Sequence, residues 1–335
     1  MRIEAFSRGK HHARPEENED CLLVLPGLGY AVLDGVTDRS ARRYGGMRAG
    51  RHASRTVANR LAEVLPASLR DAAGPRERAA GLVAAAGAAI RESYVAHELL
   101  AEAEARPALR MGCTLAMAVH DRDRLVLLSV GDTGLRVSLA DGRTETHVEE
   151  KPLDRITALM RREAWRWAEA QGADVEEVRS LSDAACWSGL AALHDRLPAG
   201  EAEGLRRRIL EVCGEEIRGV SQREIDRLVD SGIAGQRAFA NHPEFDLGYG
   251  VLDGFPVPDR YVFTAEHRLD AVETLEIFSD GYFKSPQGFG VEAWEAAFRE
   301  VEAEDPDKVL THPSTKGSSA TAWADDRTYL GVVLD

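Results

Sequence analysis

Three short apolar runs in the middle of the chain follow one another with almost no sequence between them. CTLAMAVH (113–120), RLVLLSVGD (124–132) and GLRVSL (134–139) have the length and composition of β-strands. Parallel strands need a crossover of about a dozen residues or more, whereas antiparallel strands can be joined by a tight turn. The runs therefore predict an antiparallel meander and exclude a simple Rossmann fold. No GxGxxG or GxxxxGK[ST] motif is present either.

Further strand and helix signals surround this meander. Strands are predicted at 21–25, 29–34, 261–264, 272–279 and 328–334. Helices are predicted at 47–65, where Pro66 ends the pattern, at 76–100 and at 291–302. Residues 150–232 are helical throughout, and Ser221 with Glu224 forms a capping-box motif. Because the strands on both sides of this stretch must share a core, we predict one domain, 1–335, with a helical insertion at 150–235.

Bulk properties exclude several classes of protein. The net charge of −14 disfavours partners such as nucleic acid or an anionic membrane, because both demand a basic footprint. No stretch approaches the roughly 20 apolar residues that span a bilayer. The first residues lack the apolar core of a signal peptide, so a cytoplasmic location is expected. The four cysteines form no CxxC pair, which predicts reduced and mostly buried thiols instead of a disulfide scaffold or a zinc site.

Four aspartates stand where an apolar run begins or stops. Asp20 precedes one strand, Asp34 and Asp280 follow two others, and Asp325 precedes the last. Carboxylates at rigid strand ends can converge on a hard cation. Asp-Gly is also a common hairpin turn, which is how we interpret Asp141-Gly142. VLDGVT and IFSDGYF have no closely paired return strand, so a functional role is the better interpretation for their aspartates.

Six short motifs occur in order: Asn18-Glu19-Asp20, Val32-Leu33-Asp34-Gly35, Gly112-Cys113-Thr114, Ser129-Val130-Gly131-Asp132-Thr133, Phe278-Ser279-Asp280-Gly281 and Asp325-Asp326-Arg327-Thr328. Together they resemble the metal-dependent protein phosphatases, the type 2C or PPM family. The resemblance covers nearly all of the chain except the helical stretch. It implies an α+β fold, a four-layer α-β-β-α sandwich in which two antiparallel sheets are flanked by helices. The flap of that family lies where this chain has its helical insertion.

The resemblance also implies a metal site and a reaction. The ligands that it implies are Asp20, Asp34, the carbonyl of Gly35, Asp280 and Asp325. Asp34 would bridge two Mn²⁺ or Mg²⁺ ions, Asp132 would join Asp280 in a weaker third site, and Asp326 is a rival for the last ligand position. A hydroxide bridging the two metals would hydrolyse phosphoserine or phosphothreonine on proteins, with Asp34 and Asp280 in catalytic roles.

Two positions depart from the family motifs. The family places a phosphate-gripping arginine five residues before the first aspartate, where this chain has Pro15, and Arg14 lies six before. A one-residue bulge would restore its reach, so Arg14 is our catalytic candidate, with an ordinary surface arginine as the alternative. Val36 stands where some relatives carry a histidine as general acid. The proton for the leaving group would then come from metal-bound water or from Asp38.

Basic and aromatic side chains suggest contacts with proteins. A phosphorylated protein substrate could meet Arg39, Arg42 and Arg43, although a solvated arginine run is the alternative. The helical insertion could contact a protein partner, and its aromatic side chains are interpreted as core or partner contacts: Trp165, Trp167 and Trp187.

Two other functions stay open at this point. A catalytically silent phosphoprotein-binding or scaffold module could use the same fold, although retention of all the expected carboxylates speaks against it. A phosphatase for a small phosphorylated metabolite is the second alternative, because an enlarged insertion could narrow the site.

Overall fold

The computed structural model describes residues 1–37, 42–71 and 74–334, which form two compact units. Unit 1 comprises 1–150, 250–299 and 321–335, and unit 2 comprises 151–249 and 300–320. Helices between residues 152 and 231 account for most of unit 2. One domain with an insertion at 150–235 stays a prediction.

Two antiparallel sheets of five strands lie at the centre of unit 1, with strands numbered along the chain. The first sheet contains, in spatial order, β1 (Arg2–Arg8), β10 (Arg327–Val333), β9 (Val272–Phe278), β6 (Gly134–Leu139) and β7 (Thr144–His147). The second contains β2 (Cys21–Leu25), β3 (Gly29–Gly35), β4 (Cys113–Asp121), β5 (Arg124–Val130) and β8 (Phe263–Arg268). The predicted pair of antiparallel sheets is confirmed.

The predicted meander is correct for two of its three strands. β4 and β5 pair through a tight turn, but β6 pairs with β7 and β9 in the other sheet. Gly131 begins the crossing with φ of +85°, a left-handed conformation that favours glycine. A Cβ at Gly131 would also lie 2.5 Å from the side chain of Thr114. The turn after β5 therefore carries the chain from one sheet to the other instead of reversing it.

Apolar side chains fill the space between the sheets and beneath the helices of unit 1. Tyr30 and Val32 of the second sheet share a buried cluster with Leu275 and Ile277 of the first. Each such side chain contributes about 1.5–3 kcal/mol when it is fully buried. On the outer face of the second sheet lie helices α1 (Ala49–Ser68) and α2 (Pro75–Ala96). On the first sheet, Trp294 of α8 (Val291–Glu304) packs 4.3 Å from the ring of Phe278. The α-β-β-α layering is confirmed.

Two helix boundaries differ from the prediction. Helix α1 continues two residues past Pro66, because a proline in the last turn removes only one backbone hydrogen bond. The second predicted helix is divided into α2 and the short α3 (Leu100–Ala105). Glu98 lies between them with φ of +59°, which an α-helix cannot contain.

Unit 2 contains four longer helices: α4 (Pro152–Ala170), α5 (Val175–Ser188), α6 (Ala199–Glu216) and α7 (Gln222–Ser231). The predicted capping box at the start of α7 is wrong, because Ser221 makes no side-chain cap and Glu224 accepts the amide of Leu247 at 2.8 Å. Trp165 is buried in α4, and three of the four free cysteines are buried as predicted. Among the helices of the described ranges, none is long and apolar enough to cross a membrane.

Candidate metal centre

Strand register brings the predicted carboxylates together in unit 1. Cys21 of β2 pairs with Leu33 of β3, so Asp20 and Asp34 follow at neighbouring positions. In the other sheet, the amide of Ser279 donates to the carbonyl of Thr328 at 2.9 Å, which places Asp280 beside the start of β10. Both sheets therefore deliver acidic side chains from the ends of paired strands.

Asp34 is the centre of this acidic group. Burial is the largest cause that raises the pKa of its carboxyl well above the ordinary value, and the charges of Asp20, Asp280 and Asp325 raise it further. A hydrogen bond between the carboxyls of Asp34 and Asp280 acts in the same direction. Like charges in a partly dry environment favour a shared proton or a bound cation. All four predicted carboxylates therefore act on one another.

Asp20 is the most deeply buried of the four. Its pKa is raised first by burial and then by the charge of Asp326, while the hydroxyls of Thr328 and Ser279 lower it by less. Neither carboxylate oxygen of Asp20 has a partner in hydrogen-bond geometry among the described residues. A buried carboxylate without a partner is costly unless a cation or a proton compensates it. The donor chemistry of Asp20 therefore fits a hard metal ion.

Lys10 is the unforeseen member of the site. Its ammonium lies 2.8 Å from a carboxylate oxygen of Asp325 and 3.4 Å from oxygens of Glu19 and Asp326. Burial would lower the pKa of Lys10, but these three carboxylates outweigh it and raise the pKa well above the ordinary value. Lys10 lies in the loop after β1, and Asp325 comes more than three hundred residues later, so no sequence motif contains both.

Asp325 and its rival Asp326 make different contacts, and which of them would hold a metal ion stays a prediction. One carboxylate oxygen of Asp326 accepts the backbone amide of Lys10 at 2.6 Å, and the other accepts that of Glu19 at 3.1 Å. These bonds hold the segment that leads into β2. Asp326 therefore holds this backbone segment, while its charge raises the pKa of Asp20 and the charge of Asp325 raises that of Asp34.

The start of α1 closes against the end of β3. A Cβ at Gly35 would lie 2.5 Å from the backbone of Gly50, and a Cβ at Gly50 would lie 2.7 Å from the carbonyl of Val36. Only glycine permits this approach of two backbones. The two glycines thus fix the backbone at the position where the carbonyl of Gly35 is predicted to complete a metal shell.

Asp132 lies in the turn between β5 and β6. Asp34 pairs across the strands with Thr114, whose hydroxyl lies 2.5 Å from that of Thr133. This chain of neighbours places the turn containing Asp132 next to the end of β3. The role of Asp132 in a third metal site stays a prediction.

Arg14 is paired with a different carboxylate. Its guanidinium donates to Glu17 at 3.0 Å, and in the described ranges it forms no ion pair with the acidic group around Asp34. Residues 15–17 form a turn of 3₁₀ helix instead of a simple bulge. Its phosphate-gripping role stays a prediction. Two other predicted contributors, Asp38 and Arg39, lie outside the described residues.

The site has the oxygen donors of a divalent metal centre, but its described side chains are not in a coordinating arrangement. Within the ranges that the structure describes, no three His, Cys, Asp or Glu side chains are already arranged to hold a metal ion. Carboxylate and carbonyl oxygens are nevertheless the donors that Mg²⁺ and Mn²⁺ prefer. The mutual repulsion at Asp34 and the unsatisfied oxygens of Asp20 are what a bound cation would relieve.

Solved structures that match this chain include three of bacterial phosphatases. The serine/threonine phosphatase PstP/Ppp of Mycobacterium tuberculosis is 19% identical, with 100% of this chain and 98% of that chain covered and a TM-score of 0.45. A catalytic domain of PstP in complex with two manganese ions is 17% identical, with the same coverage and TM-score. Stp1 of Staphylococcus aureus is 13% identical, with 100% and 96% covered and a TM-score of 0.47. Among curated proteins, none matches this chain significantly.

The family assignment comes from the sequence of the whole chain. Residues 8–311 match the family described as Protein phosphatase 2C, which is far more than half of the chain. This match includes five of the six motifs, all but the one at 325–328, and unit 2 up to residue 311. The predicted enzyme class is thereby confirmed at the level of the family. The chain belongs to the protein phosphatase 2C family.

Proposed function

We infer that this protein hydrolyses phosphoserine and phosphothreonine on proteins, with two divalent metal ions as cofactors. The observation that carries this inference is the convergence of Asp20, Asp280 and Asp325 on Asp34. A close group of four carboxylates, of which Asp20 is buried, has no structural advantage by itself, because each charge raises the cost of the others. Bound cations would offset the repulsion between these carboxylates, and membership of the protein phosphatase 2C family indicates phosphate hydrolysis as the reaction.

Each residue of the site has a proposed role in binding metal or phosphate. Asp34, with the carbonyl of Gly35, would lie between the two ions, and Asp20, Asp280 and Asp325 would complete the ligand set. When bound, divalent ions lower the pKa of a coordinated water and neutralise phosphoryl oxygens. Lys10 would neutralise Asp325 in the absence of metal, and Arg14 would grip the phosphate. Manganese and magnesium both suit these donors, and Asp132 is the candidate for a third, weaker site.

One observation favours a second candidate function, a phosphoprotein-binding module without turnover. Arg14 is engaged by Glu17, so the predicted phosphate-gripping group does not point freely at the carboxylates. A module of this kind would bind phosphopeptides and leave them intact.

The test compares hydrolysis of p-nitrophenyl phosphate and of a phosphothreonine peptide with Mn²⁺, with excess chelator, and in Asp280→Asn. We expect turnover of both substrates only with metal, and a loss of at least about a hundredfold in Asp280→Asn, because removing one electrostatic contributor typically costs that much. Asp270→Asn is the matched control, since Asp270 is exposed and pairs with Arg268 at the surface of unit 1.

Each alternative has its own result in the same experiment. Activity that survives the chelator or Asp280→Asn would sink the mechanism. Peptide binding without turnover would support the silent module. Turnover of small phosphorylated metabolites with none of peptides would support the metabolite phosphatase.

A further inference from the structure

Three arginines converge on one glutamate close to the candidate metal centre. The Glu17 carboxylate lies 3.0 Å from Arg14, 3.5 Å from Arg43 and 3.0 Å from Arg48. We call these four residues the Glu17 cluster. Three guanidinium groups facing a single carboxylate leave positive charge in excess, in a chain whose net charge is −14. The neighbouring Glu16 is exposed, and the ion pairs of these arginines are with Glu17 instead.

The arginines keep most of their hydrogen-bonding capacity. A guanidinium has five N–H donors, and the bonds to Glu17 use one nitrogen of each arginine: Nη1 of Arg14, Nη2 of Arg43 and Nε of Arg48. The side chains of Arg14 and Arg43 are 50% and 43% exposed. Arginine binds carboxylate and phosphate through two parallel bonds when its fork is accessible. Glu17 therefore holds the three groups in place without saturating them.

The cluster is attached to the two segments that carry the metal centre. Glu17 is three residues from Asp20, so their Cα atoms are at most about 11 Å apart. Arg48 is two residues from Gly50, whose backbone lies against that of Gly35. The guanidinium of Arg51 also donates to the carbonyl of Asn18 and ties the two segments together. The limit of about 11 Å between the Cα atoms of Glu17 and Asp20 corresponds to about three residues of extended peptide.

We propose that Arg43 and Arg48, positioned by Glu17, form an accessory anion site that selects phosphoprotein segments carrying a second negative group, either carboxylate or phosphate, within about three residues of the phosphorylated residue. The inference rests on the proposed function, since it names a substrate class for the same site. Protein substrates in which the flanking segment is neutral or basic are then bound less well, because they offer no second anion to these arginines.

The test uses five substrates with Mn²⁺: p-nitrophenyl phosphate, a phosphothreonine peptide with neutral flanks, the same peptide with Glu three residues away, the same peptide with phosphoserine three residues away, and one with Glu ten residues away. The wild type should give a kcat/KM about fivefold higher for the near-acid peptides than for the neutral one, the effect expected of one or two exposed charge pairs. The double variant Arg43→Ala/Arg48→Ala should lose this preference and keep its rate on p-nitrophenyl phosphate. Glu and phosphoserine arms show which anion is preferred.

A charge-matched control separates a local site from the general field. Arg60→Ala/Arg91→Ala removes two partly exposed, ion-paired arginines from α1 and α2 and should keep the preference. A preference that persists in Arg43→Ala/Arg48→Ala, or a wild type that does not distinguish near from distant acid, would overturn the proposal. Binding of the same peptides, carrying a fluorescent label, to Asp280→Asn measures the preference without turnover. If no substrate is hydrolysed at all, the proposed function fails, while peptide binding still decides the role of the cluster.

Discussion

Lys10 places a positive charge among carboxylates that a divalent cation would also neutralise. Its ammonium contacts Asp325 at 2.8 Å, and its side chain is only 10% exposed. Removing one partner of a buried ion pair leaves the other charges uncompensated. Lys10 therefore acts as an internal counter-ion that supports the metal-free fold, and it competes with an incoming ion for Asp325.

Replacing Lys10 by methionine should separate these two effects. In chelator, Lys10→Met should lower the free energy of unfolding by about 3 kcal/mol, measured by urea denaturation. Its Kd for Mn²⁺, measured by calorimetry, should tighten about tenfold because the competing charge is gone. Lys308→Met is the control, since Lys308 is a fully buried lysine paired with Glu302 in unit 2. It should lose stability with no change in metal affinity, and a weaker metal affinity in Lys10→Met would contradict the counter-ion role.

Removing the charge of Asp34 should raise the stability of the metal-free protein, whereas removing that of Lys10 should lower it. The pKa of Asp34 is raised in the fold, so the ionised side chain costs stability at any pH above the ordinary value near 4, and the cost grows as the pH rises. Asp34→Asn keeps the shape and removes the charge. In chelator at pH 8 this variant should unfold at a higher temperature than the wild type, with a gain of about 1 kcal/mol. Added Mn²⁺ should stabilise the wild type and leave Asp34→Asn unchanged. A variant that is less stable in chelator would show that the carboxylates do not repel one another.

At the scale of elements, a turn is anchored between two helices by aromatic contacts. Tyr44 is buried and stacks on His52 of α1 at 5.2 Å, with His97 at the end of α2 5.3 Å away. The imidazole of His52 lies 2.7 Å from the hydroxyl of Ser93. This contact joins α1, α2 and the turn that carries Arg43, so it determines how firmly one side of the Glu17 cluster is held.

The same contact predicts a pH dependence. Burial, followed by the charge of His97, lowers the pKa of His52 from 6.5. The unfolded chain then takes up the proton first as the pH falls, so stability is lost between about pH 7 and pH 5. His52→Gln should lose less stability than the wild type over this interval, measured by urea denaturation in chelator. His242→Gln, which removes an exposed histidine, should follow the wild type. Parallel pH profiles for wild type and His52→Gln would rule out this contribution.

At the scale of the whole chain, the sequence predicts the layers and the acidic residues but not their supports. Apolar runs reveal β2 to β6 because their side chains are buried, and the order of the acidic motifs identifies the family. β7 is missed because Thr144–His147 is a polar, exposed edge strand. β1 is missed because its burial comes from pairing with β10, more than three hundred residues later. Lys10 and Glu17 are invisible for the same reason, since their partners are fixed by tertiary structure.

Strand β1 joins one end of unit 1 to the metal centre, and its removal should affect both. It pairs with β10 along seven residues, from Arg2 opposite Val333 to Arg8 opposite Arg327, and it leads directly into Lys10. Glu4 also accepts the amide of Val291 at the start of α8. Deleting residues 1–8 should lower the unfolding temperature and weaken Mn²⁺ binding, because the backbone amides of Lys10 and Glu19 that Asp326 holds, next to the predicted ligand Asp20, lose their support.

The opposite edge of the same sheet provides the comparison. Thr146→Pro interrupts the pairing of β7 with β6. This edge strand lies on the far side of the sheet from β1, and it should lose stability without a change in the Kd for Mn²⁺. If the two changes weaken metal binding equally, the metal centre depends on the stability of the whole sheet. If only the deletion of β1 weakens it, the N-terminal segment is a specific support of the site, as the bonds from Asp326 to Lys10 and Glu19 indicate.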